Sequence, residues 1–123
     1  MLPDYLPGID VQQGLKNVVG NGQLLYDLLL TFHQGFSDAE SRLDAYLLAG
    51  DADSALKLLH TIKGVAANLA MPELKSCIAA LEQTLNKPWQ YRPELLMDFA
   101  NAQNKVLESI EQLRGANGLT PST

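Results

Sequence analysis

His60 is the residue whose type and setting could do chemistry. It is followed by Lys63 at three residues and Gly64 at four, and preceded by Lys57 at three. At about 100° per residue, with His60 at zero, a helical wheel divides this segment cleanly. Ala55, Leu58, Leu59, Ile62, Val65, Ala66 and Leu69 gather on the far side and form a core face. Asp53, Leu56, Lys57, His60, Lys63, Gly64 and Ala67 gather around zero, so the imidazole faces away from the core. A lone exposed histidine is ordinarily a surface residue, but these neighbours are unusual. Glycine in a helix interior costs about 1 kcal/mol relative to alanine and is kept for packing or for close approach. Gly64 points outward, which leaves approach from outside. Ala67 keeps the next turn low, Leu56 supplies an expected exposed apolar patch, and Lys57 and Lys63 supply positive charge in a chain of net charge -5. An imidazole has an ordinary pKa of about 6.5 and its neutral form is a good nucleophile near neutral pH. The constellation suits docking of a partner and handling of an anion.

The elements that must position this histidine are helices. The chain has 23 Leu and 13 Ala against 4 Ile and 5 Val, and no stretch alternates with period two, so an all-α fold is expected. Asp10 with Gln13 opens a short helix over 10–19, and Gly20-Asn21-Gly22 is a turn. Leu25, Leu29, Phe32, Phe36, Leu43 and Leu47 then run in steps of three and four. Gly35 and Ser37-x-x-Glu40 suggest a stop and a restart there, but the stripe stays in phase, so one helix over 22–49, bent near Gly35, is the preferred reading. Gly50 and Asp51 stop that helix and cap the next, over 51–69. Pro72 and Pro93 open helices over 72–86 and 93–114, separated by a loop at 86–91. Four long amphipathic helices with short connections predict an antiparallel four-helix bundle, with the short N-terminal helix capping one end.

Composition bounds the rest. A length of 123 residues fits one domain: a core over 8–114, an extended lead-in over 1–7 and a frayed tail over 115–123. No apolar run is long enough to span a bilayer, and the N-terminus has no secretory signal pattern. One cysteine excludes a disulfide framework, and the acidic balance argues against nucleic acid or an anionic membrane as partner. His33 has no second ligand at metal spacing and reads as a boundary residue. Cys77 reads as a buried filler, Trp89 and Tyr91 as packing over the end of the bundle, and Glu108 and Glu111 as solvated charge. Gln34 and Phe36 are further candidates for the border of the His60 surface. No Gly-rich nucleotide loop and no convergent pocket of carboxylates, Ser or Cys accompanies His60, which disfavours an autonomous enzyme.

The segment His60-Thr61-Ile62-Lys63-Gly64-Val65-Ala66-Ala67-Asn68-Leu69 resembles the signature of histidine-containing phosphotransfer (HPt) domains of bacterial two-component phosphorelays. Gly8-Ile9-Asp10-Val11-x-x-Gly14-Leu15, the Ala49-Gly50-Asp51 turn and Leu74-x-x-x-Ile78-x-x-Leu81-Glu82 are also similar to the family pattern, so the resemblance covers residues 8–114. It implies that His60 accepts a phosphoryl group from an aspartyl-phosphate receiver domain and passes it to another. Lys63 would steady the phosphoryl group, Gly64 would admit the receiver, and Glu82 would orient the imidazole through Nδ1–H. Leu56, Lys57 and Ala67 would border the partner. No cofactor or metal is expected on this chain; Mg²⁺ would belong to the receiver. The implied partners are response-regulator receiver domains or a hybrid sensor histidine kinase. The expected state is a cytoplasmic monomer, free-standing or excised from the C-terminal end of a sensor kinase. Ala67 and Ala70 stand where many members carry glycine. The alternatives are a module that docks a receiver without phosphotransfer, and a phosphoacceptor charged directly by a histidine kinase.

Overall fold

Three helix starts are fixed by short polar side chains that accept an otherwise unmet backbone N–H. In the computed structural model, which describes residues 2–86 and 92–117, Asp10 caps α1 (Val11–Asn17) by accepting from Gln13 N at 3.0 Å. Asn21 caps α2 (Gly22–Phe36) by accepting from Leu24 N at 3.0 Å. Helix α3 (Ala39–Leu48) follows, and Asp51 caps α4 (Ala52–Asn68) by accepting from Ser54 N at 3.0 Å. Pro72 opens α5 (Pro72–Asn86) and Pro93 opens α6 (Pro93–Ala116). Helix α6 runs through Gly115, past the expected stop. Trp89, Tyr91 and nearly all of the expected tail lie outside the described residues.

Three of the helices end in the same way. The residue after the C-cap turns left-handed, and the two N–H groups that follow the cap reach back to carbonyls of the last turn. After α1 the turning residue is Val19 (φ 55°), with Gly20 N on Leu15 O at 2.7 Å. After α3 it is Gly50 (φ 71°), with Asp51 N on Tyr46 O at 2.8 Å. After α4 it is Ala70 (φ 60°), with Met71 N on Ala66 O at 2.8 Å. Only Gly50 is free of the Cβ penalty that this conformation carries.

The expected single helix over 22–49 is two helices, broken at Ser37 and Asp38. Asp38 precedes α3 without a side-chain capping bond, so the Ser37-to-Glu40 pattern does not act as a capping box. The break is shallow. Ser37 stays helical (φ -62°, ψ -22°) and Asp38 departs only to φ -101°, ψ 13°. That is why the apolar stripe keeps its phase across it. At the break the Phe36 carbonyl accepts from Gln103 Nε2 of α6 at 2.8 Å.

Packing closes in a ring. Helix α3 lies on α4, α4 on α5, α5 on α6, and α6 back on α2. The described residues form no strand; they hold one isolated bridge between Leu6 and Ile9. The shared interior is filled by Leu25, Leu29, Phe32, Leu43, Leu59, Ile62, Leu74, Ile78, Phe99 and Ile110, each nearly inaccessible. Burial of each such side chain is worth roughly 1.5–3 kcal/mol, against at most about 1 kcal/mol for a surface ion pair, so the core dominates the stability. The fold is an all-α helical bundle.

The lead-in is folded rather than extended. Leu6 and Ile9 are buried, and Gly8 turns between them at φ 84°. A methyl group at Gly8 would meet Val106 Cγ2 at 3.0 Å. Ser109 Oγ donates to Pro7 O at 2.7 Å and ties this turn to α6. Helix α1 caps the end of the bundle where α4 stops, as the sequence predicts. Asp10 N donates to Ala70 O at 2.8 Å, and Asn17 Nδ2 to Asn68 O at 2.9 Å.

Candidate functional site

Helix α4 buries Ala55, Leu58, Leu59, Ile62 and Ala66 toward α3 and α5. That leaves the His60 side chain 82% exposed. The fold therefore turns outward the residue that the wheel places outward. One turn on, a methyl group at Gly64 would meet no atom within 4 Å beyond its own helix backbone. Packing among the described residues makes no demand for glycine there. Ala67 is exposed as well, so the helix surface beyond the imidazole is low. Past Ala67 it runs into a shallow groove lined by Gln13, Ala66, Met71 and Lys75.

Glu82 reaches this surface from α5, one residue after the buried Leu81. Its side chain is only 16% exposed. Oε1 accepts from Lys63 Nζ at 2.5 Å. Oε2 lies 4.0 Å from His60 Nδ1, beyond hydrogen-bond reach. The expected bond from Nδ1–H to Glu82 is therefore not formed here; the carboxylate spends its bond on the ammonium. Nδ1 faces Glu82. His60, Lys63, Gly64 and Glu82 thus share one surface across α4 and α5.

Lys57 is exposed on the same helix face, one turn before His60. Leu56 corrects an expectation: it is half-buried and packs against the core rather than forming an exposed apolar patch. The helical wheel places Leu56 on the outer face, but its long side chain folds inward along the helix. Ala70 is buried, and it turns left-handed after α4. A glycine at that position would serve the backbone turn, so its replacement by alanine bears on the turn and not on the chemistry of the site.

The other candidate residues make contacts of their own. His33 on α2 is nearly covered, and its Nε2 sits 3.0 Å from Glu111 Oε2 of α6. Glu111 also binds Arg114, whose hydrogen bond holds the Glu111 carboxyl below its ordinary range. Glu111 is therefore a paired carboxylate rather than simply solvated charge; Glu108 is exposed. Phe36 packs its ring 5.3 Å from that of Phe32, and Gln34 is exposed. Cys77 is half-buried, and desolvation pushes its thiol up. Among the described residues, no group of three or more His, Cys, Asp or Glu could hold a metal ion.

The Lys63–Glu82 pairing is the feature of the site that the sequence does not announce. Its signal is the Glu that follows a core leucine on α5, but reading it needs the register of α5 against α4.

A protein-family model described as the Hpt domain matches residues 27–116, from within α2 to the end of α6. Searches of curated proteins and of solved structures returned no match. The family match spans most of the chain and agrees with the outward histidine on the helical bundle: the chain belongs to the family of HPt domains, whose members take part in histidine phosphotransfer within phosphorelays.

Proposed function

We propose that this domain is a phosphorelay intermediary that carries a phosphoryl group on His60 between receiver domains. HPt domains interact with the receiver domains and kinases of two-component systems, and the reading assigns this chain a receiver as its direct donor and acceptor. The observation that carries it is the exposure of the His60 ring beside the empty space over Gly64.

The chemistry balances without help from a cofactor on this chain. The Nε2 lone pair of a neutral imidazole attacks the phosphorus of an aspartyl phosphate. The N–P bond forms as the P–O bond breaks, and the electron pair leaves on the receiver's carboxylate. Nδ1 keeps its proton throughout. In the onward step a carboxylate oxygen of the second receiver attacks phosphorus, and the N–P electrons return to Nε2. Nδ1 faces Glu82, which leaves Nε2 as the outward nitrogen. Phosphoryl transfer depends on positioning and charge neutralisation more than on covalent assistance. Lys63 supplies one positive charge beside the ring, and Lys57 adds a second on the same face. Gly64 and Ala67 let the receiver's active site close on the histidine, with Leu56 at the edge of the contact. The Mg²⁺ and the acidic pocket belong to the receiver. The domain needs no membrane segment for this work, and no described helix is long and apolar enough to cross a membrane.

The test is label transfer. A phosphorylated receiver should place an acid-labile, alkali-stable phosphate on the chain, and His60→Gln should abolish it while leaving helicity intact. Label that survives His60→Gln overturns the assignment.

A further inference from the structure

We propose that Glu82 sets how tightly the site holds its phosphoryl group, and does so by offsetting the charge of Lys63. This deepens the relay reading and rests on His60 being the phosphoacceptor. Glu82 is a positioning residue here: it acts through Lys63 and makes no bond to the reacting atoms.

The argument starts from the carboxylate. Glu82 bonds the ammonium at 2.5 Å through Oε1, while Oε2 is 4.0 Å from Nδ1. Lys63 is 32% exposed and Glu82 16%, so the pair is partly shielded from water and its attraction exceeds that of a free surface pair. An ammonium has three hydrogens and can serve the carboxylate and a phosphoryl oxygen together. Its charge, however, is already offset. Glu82 also puts a negative charge on the same surface as an arriving phosphoryl group, which carries up to about two of its own. Two effects follow from one residue. Lys63 is held beside the ring before any phosphate arrives, and the phosphate that arrives is held less firmly than Lys63 alone would hold it. A relay needs both, because a carrier that binds its cargo too well cannot pass it on.

The experiment is an equilibrium measurement on the full chain mixed with a phosphorylated receiver domain. The readout is the ratio of phosphohistidine to aspartyl phosphate, for the wild type, Glu82→Gln, Lys63→Gln and the double variant. Circular dichroism and thermal melts confirm that each is folded. Glu82→Gln keeps the shape and removes the charge. It should raise the ratio about two- to fivefold, the range expected for a partly exposed ion pair. Lys63→Gln should lower the ratio. In the Lys63→Gln background the gain from Glu82→Gln should shrink to less than half. An unchanged or lower ratio in Glu82→Gln overturns the proposal. An equal gain with and without Lys63 overturns the route through Lys63. A wild-type chain that takes no label on His60 overturns the underlying phosphoacceptor reading, and this proposal with it. A wild type that labels while Glu82→Gln changes nothing overturns only this proposal.

Discussion

Gln103 Nε2 donates to the Phe36 carbonyl at 2.8 Å and so joins the middle of α6 to the point where α2 ends. Gln103 is almost wholly buried, and its own Oε1 has no hydrogen-bond partner among the described residues. A polar side chain therefore stands in an otherwise apolar stripe because a helix-terminal carbonyl beside it needs a donor. Gln103→Met keeps the volume and removes that donor. It should destabilise the fold by about 1–2 kcal/mol, the cost of a lost hydrogen bond with an unmet acceptor. Urea unfolding followed by circular dichroism measures it; a variant as stable as wild type would show that the bond contributes nothing.

Two helix ends carry a side chain where the backbone favours none. Val19 is 93% exposed at φ 55°, so Val19→Gly relieves a left-handed β-branched residue without losing burial. The relief of roughly 1–2 kcal/mol is partly offset by the greater freedom of glycine in the unfolded chain, leaving a net gain of about 0.5–1 kcal/mol. Ala70 is buried, so Ala70→Gly should gain less. The order of the two urea midpoints checks the argument.

Gly64 separates fold from function. Leucine is a better helix former than glycine, and a Cβ there would meet no described atom within 4 Å outside the adjacent helix backbone. Gly64→Leu should raise the melting temperature and cut transfer from a phosphorylated receiver at least tenfold, on the scale of about 1.4 kcal/mol of lost docking. A variant that transfers at the wild-type rate would mean that the receiver does not approach over this position.

The α4 N-terminus gives a pH dependence. The side-chain and backbone hydrogen bonds of Ser54 hold the Asp51 carboxyl below its ordinary value. Its contribution is present in full above the unfolded value of about 3.9 and is lost as pH falls through the lower folded value. The wild type should melt above Asp51→Asn at pH 7, and the gap should close as the solution is taken down toward about pH 2. A gap independent of pH would mean that the carboxylate charge is not what stabilises the cap.

Much of this was legible because its causes are local. Asp10 and Asp51 are short polar caps, Gly50 supplies a left-handed turn, and Pro72 and Pro93 open helices, each acting within a few residues. The outward direction of His60 follows from the spacing of Leu59, Ile62 and Ala66 alone. The features that escaped depend on neighbours distant in sequence. The break at Ser37 leaves no trace in the periodicity, because the backbone there is nearly helical; its mark is the buried amide of Gln103, which bonds the Phe36 carbonyl from 67 residues on. The lead-in folds back because Gly8 meets Val106 and Pro7 meets Ser109. The pairing of Lys63 with Glu82 needs two helices set in register, which no single stripe encodes.

The open ground over Gly64 has a last consequence. The described residues raise no wall beside the exposed His60 ring that would divide an entrance from an exit. On the proposed relay reading, a supplier and a recipient would meet the same ring over the same ground and could not be present together, so traffic would run by turns.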